Sequence, residues 1–326
     1  MTKSLAICLV LASTFGIAHA DDPMPVEERT STASEPAPAP APAPAPVADE
    51  PVTAPEPAAP SDKPAPTPPR ARLSNPTPRT IRPRVNDDGE SRLDKREDTV
   101  AGGRHFRIKT AQGSVHVWFP ENYDRSTAGT VVYVHGYWTD ADGAWRDYEL
   151  ARQFRASRQN AMFVVPDAPS NNDETVHWPA LSDLRKAVTR ANIKIPDGPV
   201  VVMGHSGAFR TVMQWVDNRV VDQIILLDAL YAGESAFDEF IKSGKRADDH
   251  KLIVVAASTA QESKSFANKY KFAVAREKMP DSVGGFSKRE RGAKLLYIRS
   301  QYEHMQIVTS KKVIPMLLRV TPLKAL

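Results

Sequence analysis

Six short apolar runs recur over the last two thirds of this chain, at residues 130–134, 162–165, 200–203, 223–227, 252–256 and 294–298. Runs this short and continuous suit strands buried on both faces of a parallel sheet. The stretches between them predict helices at 143–157, 178–192, 206–217, 235–243 and 262–277; in the second, Leu181, Leu184, Val188 and Ala191 keep one apolar stripe. Strand and helix in alternation demand a layered α/β domain with right-handed crossovers. Ahead of it, Phe106 and Ile108, then Val115, Val117 and Phe119, alternate with polar residues about Gln112-Gly113, as in a β-hairpin. Pro315 starts or kinks a terminal helix that carries Leu317 and Leu318.

The first hundred residues obey other rules. Residues 1–20 read as a secretory signal: Lys3 gives the charged start, an apolar stretch follows, and Ala18-His19-Ala20 offers a cut after Ala20. The apolar stretch is too short for a membrane span, so no integral membrane segment is expected after cleavage. Cys8 is the single cysteine and falls inside the signal, with Ile7 where a lipoprotein signal needs a small residue. The mature chain then has no disulfide, thiol nucleophile or thiolate metal site, which fits a periplasmic or secreted protein. Residues 21–98 hold 19 of the 28 prolines. They predict a disordered, extended linker, because such a segment has too few apolar side chains to offset the entropy of ordering. Its arginines 70, 72, 79, 82 and 84 are either a solvated run or a contact with an anionic polymer or membrane surface, which leaves cell-wall association through the linker open. The folded domain is expected at 99–326. A net charge of +4 on 326 residues is small, and no nucleic-acid motif accompanies it, so nucleic acid is not an expected partner.

The chemistry is concentrated where the run 200–203 ends in Gly204-His205-Ser206-Gly207-Ala208. Phe209, Val212, Met213 and Val216 begin a helical face at once, so a strand turns sharply into a helix with Ser206 at the corner. Small residues two before and two after Ser206 let strand and helix approach closely. This is the pattern of a nucleophile elbow. A serine hydroxyl needs a base and the base needs an orienting acid. Asp228 directly follows 223–227, and His304 follows 294–298 after a short loop. Glu262, beyond 252–256, is the reserve acid.

These residues resemble the α/β-hydrolase superfamily over about 220 positions, from Gly103 onward. Ala208 stands where the commonest pattern of that family, Gly-x-Ser-x-Gly, has its second glycine. The resemblance implies an α/β-hydrolase fold, a mostly parallel central sheet with helices on both faces, here without a separate lid domain. The order Ser206, Asp228, His304 matches the family's order of nucleophile, acid and base. In the family the acid more often follows the next strand, where this chain reads Ser258-Thr259-Ala260-Gln261-Glu262 with no aspartate. The resemblance also nominates an oxyanion hole from the amides of Gly207 and of Tyr137, the residue after His135-Gly136.

Trp138, Tyr231 and Arg210 are the substrate-binding candidates, with Tyr137 and Trp178 as further aromatic residues of a cleft or of the core. Arg210 either meets a substrate carboxylate or pairs with Asp228 or another local carboxylate. Asp140 and Asp142 read as turn residues and no cofactor or metal is expected; His205 and His250 read as structural, and His177 as a cleft-side residue. Three activities stay open: an exported serine hydrolase of a carboxylic ester, an amidase or peptidase of cell-wall peptide, and an inactive envelope binding module. The substrate is then a small molecule or a piece of the cell envelope.

Overall fold

The structure is a computed structural model that describes residues 93–244 and 249–326. The signal and nearly all of the proline-rich segment, to residue 92, lie outside the described residues. Ten strands form one sheet: β1 Lys95–Val100, β2 Gly103–Thr110, β3 Gly113–Phe119, β4 Gly129–Val134, β5 Ala161–Pro166, β6 Val200–His205, β7 Gln223–Leu227, β8 Lys251–Ala256, β9 Val274–Arg276 and β10 Leu295–Arg299. Their order across the sheet is β1-β2-β3-β5-β4-β6-β7-β8-β10-β9. Pairing is antiparallel from β1 to β5 and parallel from there on.

The central strands are buried along their whole length because both faces are covered. Alternate side chains divide between two cores: Val202, Ile224 and Leu226 face one, Val201, Met203, Ile225 and Leu227 the other. The first core is closed by α3 Leu181–Arg190, α4 Phe209–Met213, α5 Glu234–Ser243 and α6 Ala260–Asn268. The second is closed by α1 Ala141–Asp147, α2 Leu150–Ser157, α8 Gln306–Thr309 and α9 Val313–Leu318, with α7 Lys288–Arg291 nearby in sequence. Each buried valine, leucine or isoleucine contributes about 1.5–3 kcal/mol, so this two-sided burial dominates the fold's stability. Pro315 sits in the first turn of α9, where its missing N–H costs no helical bond. None of the described helices is long and apolar enough to cross a membrane.

Four local differences from the sequence reading have physical causes. The sheet begins at Lys95, inside the expected linker; β1 reads Lys-Arg-Glu-Asp-Thr-Val and is an exposed edge strand held by backbone pairing with β2. The helix expected at 143–157 is two helices, because Glu149 takes a left-handed conformation (φ 49°) between α1 and α2. The helix expected at 262–277 stops at Asn268, and Val274–Arg276 instead pairs parallel with β10 at the sheet edge. After Ser206 the helix is short, a single 3₁₀ turn followed by α4 and then turns.

A buried polar chain ties β1, β2 and β3 to α1. His105 Nδ1 donates to Asp98 (2.6 Å), the two imidazoles meet between His105 Nε2 and His116 Nδ1 (2.9 Å), and His116 Nε2 reaches Asp142 (2.9 Å). Arg107 closes on the same Asp142 with two bonds, at 2.6 and 2.5 Å. Both rings stack on Trp145.

Candidate active site

Val200, Val201 and Val202 carry β6 up to Gly204, and the chain then reverses into α4 with Ser206 at φ 53°. That left-handed backbone is strained for a serine and persists because strand and helix on either side fix it. A Cβ at Gly204 would lie 2.8 Å from Val212 and 3.3 Å from Ala208, so glycine is required there. Ala208 is buried and fits without displacing its neighbours, which makes the second glycine of the commoner pattern dispensable here.

His304 reaches the corner from the loop after β10. Its Nε2 accepts the Ser206 hydroxyl at 2.9 Å and its Nδ1 donates to Asp228 Oδ2 at 2.7 Å. Asp228 follows β7, is wholly buried and is itself left-handed (φ 48°). Burial alone would raise its pKa. The bond from His304 and those from the amides of Thr259, Ala257 and Ser258 outweigh it and hold the carboxyl well below the usual carboxylate range. Those amides lie 2.9 Å away, and the Thr259 hydroxyl adds a fourth donor from the same loop at 2.8 Å. The loop after β8 thus serves as the donor cradle of a carboxylate, Asp228, that follows the strand before it. Glu262 lies exposed on α6 and makes no bond to His304. Sequence reasoning noticed that this loop lacks an aspartate but missed what it does instead.

His205, beside the serine, is buried under His304. Its Nε2 donates to the His304 carbonyl at 3.3 Å, the two rings lie 4.7 Å apart, and its Nδ1 has no hydrogen-bond partner among the described residues. Burial first, then the neighbouring His304, push its pKa down to about 3, so it is neutral and packs against His304.

Across from the elbow, β4 runs into His135-Gly136-Tyr137. A Cβ on Gly136 would stand 2.7 Å from Ser206 Cβ and 2.9 Å from the His205 carbonyl, so this loop touches Ser206 only because residue 136 is glycine. His135 Nδ1 donates to the Gly136 carbonyl at 2.8 Å, and its Nε2 lies 3.0 Å from the Ala168 amide nitrogen and 3.3 Å from Asp167 Oδ1. The Tyr137 ring lies over Gly207, where a Cβ would meet it at 2.4 Å. Two loops that supply the expected oxyanion amides, 137 and 207, are therefore packed directly on one another. His135 was legible only as half of a dipeptide; its part in fixing the peptide plane was not.

The substrate-side candidates divide. Tyr231 is half-exposed, its ring 6.0 Å from Phe209. Burial and then the Asp228 charge raise its pKa. Trp138 is 90% exposed at φ 68°, held by its backbone N–H to Ser170. Arg210 makes no ion pair with Asp228 or another carboxylate among the described residues. Its guanidinium is taken up by the carbonyls of Asn171, Asn172 and Glu174 and by the Tyr137 hydroxyl, at 2.8–3.1 Å, and so ties the 171–174 loop to α4. Trp178 belongs to the core, and its carbonyl accepts from Trp215. Asp140 caps α1 and Asp142 is held by Arg107. His177 lies 3.8 Å from Asp167 and 3.7 Å from Glu174.

The sequence profile described as the alpha/beta hydrolase family matches residues 131–305, which hold the elbow, Asp228 and His304. The chain belongs to the alpha/beta hydrolase family. No curated protein matches it. Among solved structures, an S-formylglutathione hydrolase from Agrobacterium tumefaciens is similar at 13% identity, with 69% of this chain and 96% of that chain covered and a TM-score of 0.41. A feruloyl esterase module from Clostridium thermocellum is similar at 13% identity, 69% and 87% coverage and a TM-score of 0.45. A fluorophosphonate-binding serine hydrolase of Staphylococcus aureus is similar at 9% identity, 68% and 98% coverage and a TM-score of 0.42.

Proposed function

We propose that this member of the family is an exported serine hydrolase that cleaves a carboxylic ester through an acyl-enzyme. The observation that carries the proposal is the unbroken path from the Ser206 hydroxyl through His304 to Asp228, at 2.9 and 2.7 Å. Ser206 Oγ attacks the carbonyl carbon while its proton passes to His304 Nε2. The imidazolium so formed is stabilised by Asp228, which stays ionised because its cradle of amides strongly favours the anion. The oxyanion receives the N–H groups of Gly207 and Tyr137. His135 supports this role, because a trans peptide whose carbonyl is held by His135 turns the Tyr137 N–H to the opposite side. His304 then gives its proton to the departing alkoxide, and a water repeats the sequence to release the acid.

An ester is favoured over an amide on chemical grounds. An alkoxide leaves with modest proton donation, whereas an amine needs full protonation and a rearranged nitrogen lone pair. Ser206 is half-buried on a rim where Trp138, Tyr231 and Met305 are exposed, so remote contacts that would offset the harder step are few. Trp138 and Tyr231 line that rim as the substrate contacts. The leader sends the chain to the periplasm or outside, with Asp21 as its mature N-terminus, and the proline-rich segment acts as a spacer.

The test is the rate on p-nitrophenyl acetate against that on the matching anilide and on purified peptidoglycan. A faster ester reaction supports the reading. Faster anilide cleavage or release of amino acids from peptidoglycan replaces it with an amidase, and no turnover of any of them leaves a binding module.

A further inference from the structure

A groove of about 880 Å³ runs along α3 and the segment that leads into β6. It is large for a ligand cleft, since such clefts span about 300–1,000 Å³. Five cations line it, Arg125, Arg185, Lys186, Arg190 and Lys194, and no carboxylate does. Within it Arg125, Arg185 and Lys194 take part in none of the ion pairs found among the described residues. Asp183 is engaged with Lys186 at 3.1 Å, and Asp124 with Ser126 and Thr127. Three cations held together without ion-pair partners are electrostatically unfavourable until an anion arrives.

The location separates this groove from the chemistry. Arg125 precedes β4, Lys194 precedes β6 and the Val220 wall precedes β7, so the groove lies at the amino ends of those strands. Ser206 and Asp228 follow the carboxyl ends of β6 and β7, about 17–20 Å away along strands of five or six residues. A second groove of about 310 Å³ shares Arg125, Asn192 and Lys194 with the first and extends it to Lys95 and to Arg104, which is paired with Glu97, with Glu121 on the same wall. The track therefore continues toward the start of β1, which in sequence follows a stretch, 70–84, with five arginines and no acid.

We propose that this track binds an acidic polysaccharide, a chain of sugars bearing carboxylates, and so holds the enzyme on a polymer while the opposite edge of the sheet works. A concave track suits an extended chain better than a flat membrane face. Guanidinium forks match carboxylates, amide and hydroxyl groups at Asn192 and Ser182 match sugar hydroxyls, and Ile193, Ile195 and Val220 form an apolar ledge for ring faces. No aromatic side chain lines the main groove, which disfavours stacking of nucleic-acid bases.

The experiment titrates the full chain with polygalacturonate, with neutral dextran and anionic phospholipid vesicles as controls. The wild type is expected to bind polygalacturonate with an affinity that falls steeply with salt, and to ignore dextran. The combined variant Arg125→Gln, Arg185→Gln, Lys194→Gln is expected to bind at least tenfold more weakly, with a shallower salt dependence and unchanged turnover of a small ester. Lys194→Gln alone, at an exposed loop position where folding is not at stake, is expected to weaken binding about threefold. Absence of polygalacturonate binding by the wild type, equal binding by the triple variant (which would move the contact to the arm), or binding to vesicles alone overturns the proposal.

Discussion

Two chains of carboxylate and imidazole run through this domain. In one, Asp228, His304 and Ser206 are joined at 2.7 and 2.9 Å; in the other, Asp98, His105, His116 and Asp142 are joined at 2.6, 2.9 and 2.9 Å. Distances alone do not tell them apart. Their ends do. The second chain is closed by a carboxylate at each end, and its two rings are packed flat on Trp145. The first ends in a hydroxyl on a strained corner at the sheet's carboxyl edge, with the Gly136 and Gly207 loops packed against it. A histidine beside an aspartate is thus a structural device until it opens onto an unsatisfied nucleophile and a place for new negative charge.

The most direct way to break this comparison is Ser206→Ala. Removing the open end should lower kcat on a small ester by roughly 10⁶-fold, measured with the thermal midpoint as a check on folding. Asp228→Asn should cost about 10⁴-fold in kcat with little change in KM, because the wrong tautomer of His304 is then held. The matching change in the closed chain, Asp142→Asn, should leave kcat alone and lower the unfolding free energy by about 2 kcal/mol, read from urea curves. If Asp142→Asn also abolishes turnover, the two chains are not independent. Gly136→Ala tests the packing of the loops: a methyl 2.7 Å from Ser206 Cβ must push the Tyr137 amide away, with an expected loss of about 10²-fold in kcat.

Stability with pH tests the two buried imidazoles. Burial and then His304 push His205 down to about 3; burial and then His105 push His116 down to about 4, both from 6.5. An imidazole whose folded pKa is depressed binds its proton more readily when unfolded. Stability is therefore full above pH 6.5 and falls as the pH drops toward the folded value. At about 1.4 kcal/mol per unit, each ring accounts for up to roughly 3 kcal/mol between pH 6.5 and 4.5. His205→Asn should remove its share of that slope in urea unfolding at the two pH values, and a slope of the opposite sign would contradict the neutral, buried state.

What the sequence made legible follows from range. The elbow is local: apolar run, glycine, serine and helical stripe sit within one short segment, and the parallel strands are apolar throughout because both faces are covered. β1 was not legible, since an exposed edge strand reading Lys-Arg-Glu-Asp-Thr-Val has no apolar pattern and is held by backbone pairing and by polar contacts such as Asp98 with His105. The end of α6 was missed because Lys269, Tyr270 and Lys271 are compatible with helix, and only the sheet edge decides otherwise. At the site, the candidates Ser206, Asp228 and His304 come from strand ends, which topology brings together. The donors to Asp228 at Ala257, Ser258 and Thr259 are mostly backbone amides, which carry no residue signature. Arg210 sits four residues after Ser206, and spacing along the helix does not show its reach to the 171–174 carbonyls.

The central claim, that Ser206 is an activated nucleophile, is tested most directly by labelling the folded full chain with an alkyl fluorophosphonate and weighing the intact protein. One adduct per chain, located on Ser206 and absent from Ser206→Ala, is the result expected here. An unlabelled protein that is demonstrably folded, or an adduct that survives the substitution, would contradict it.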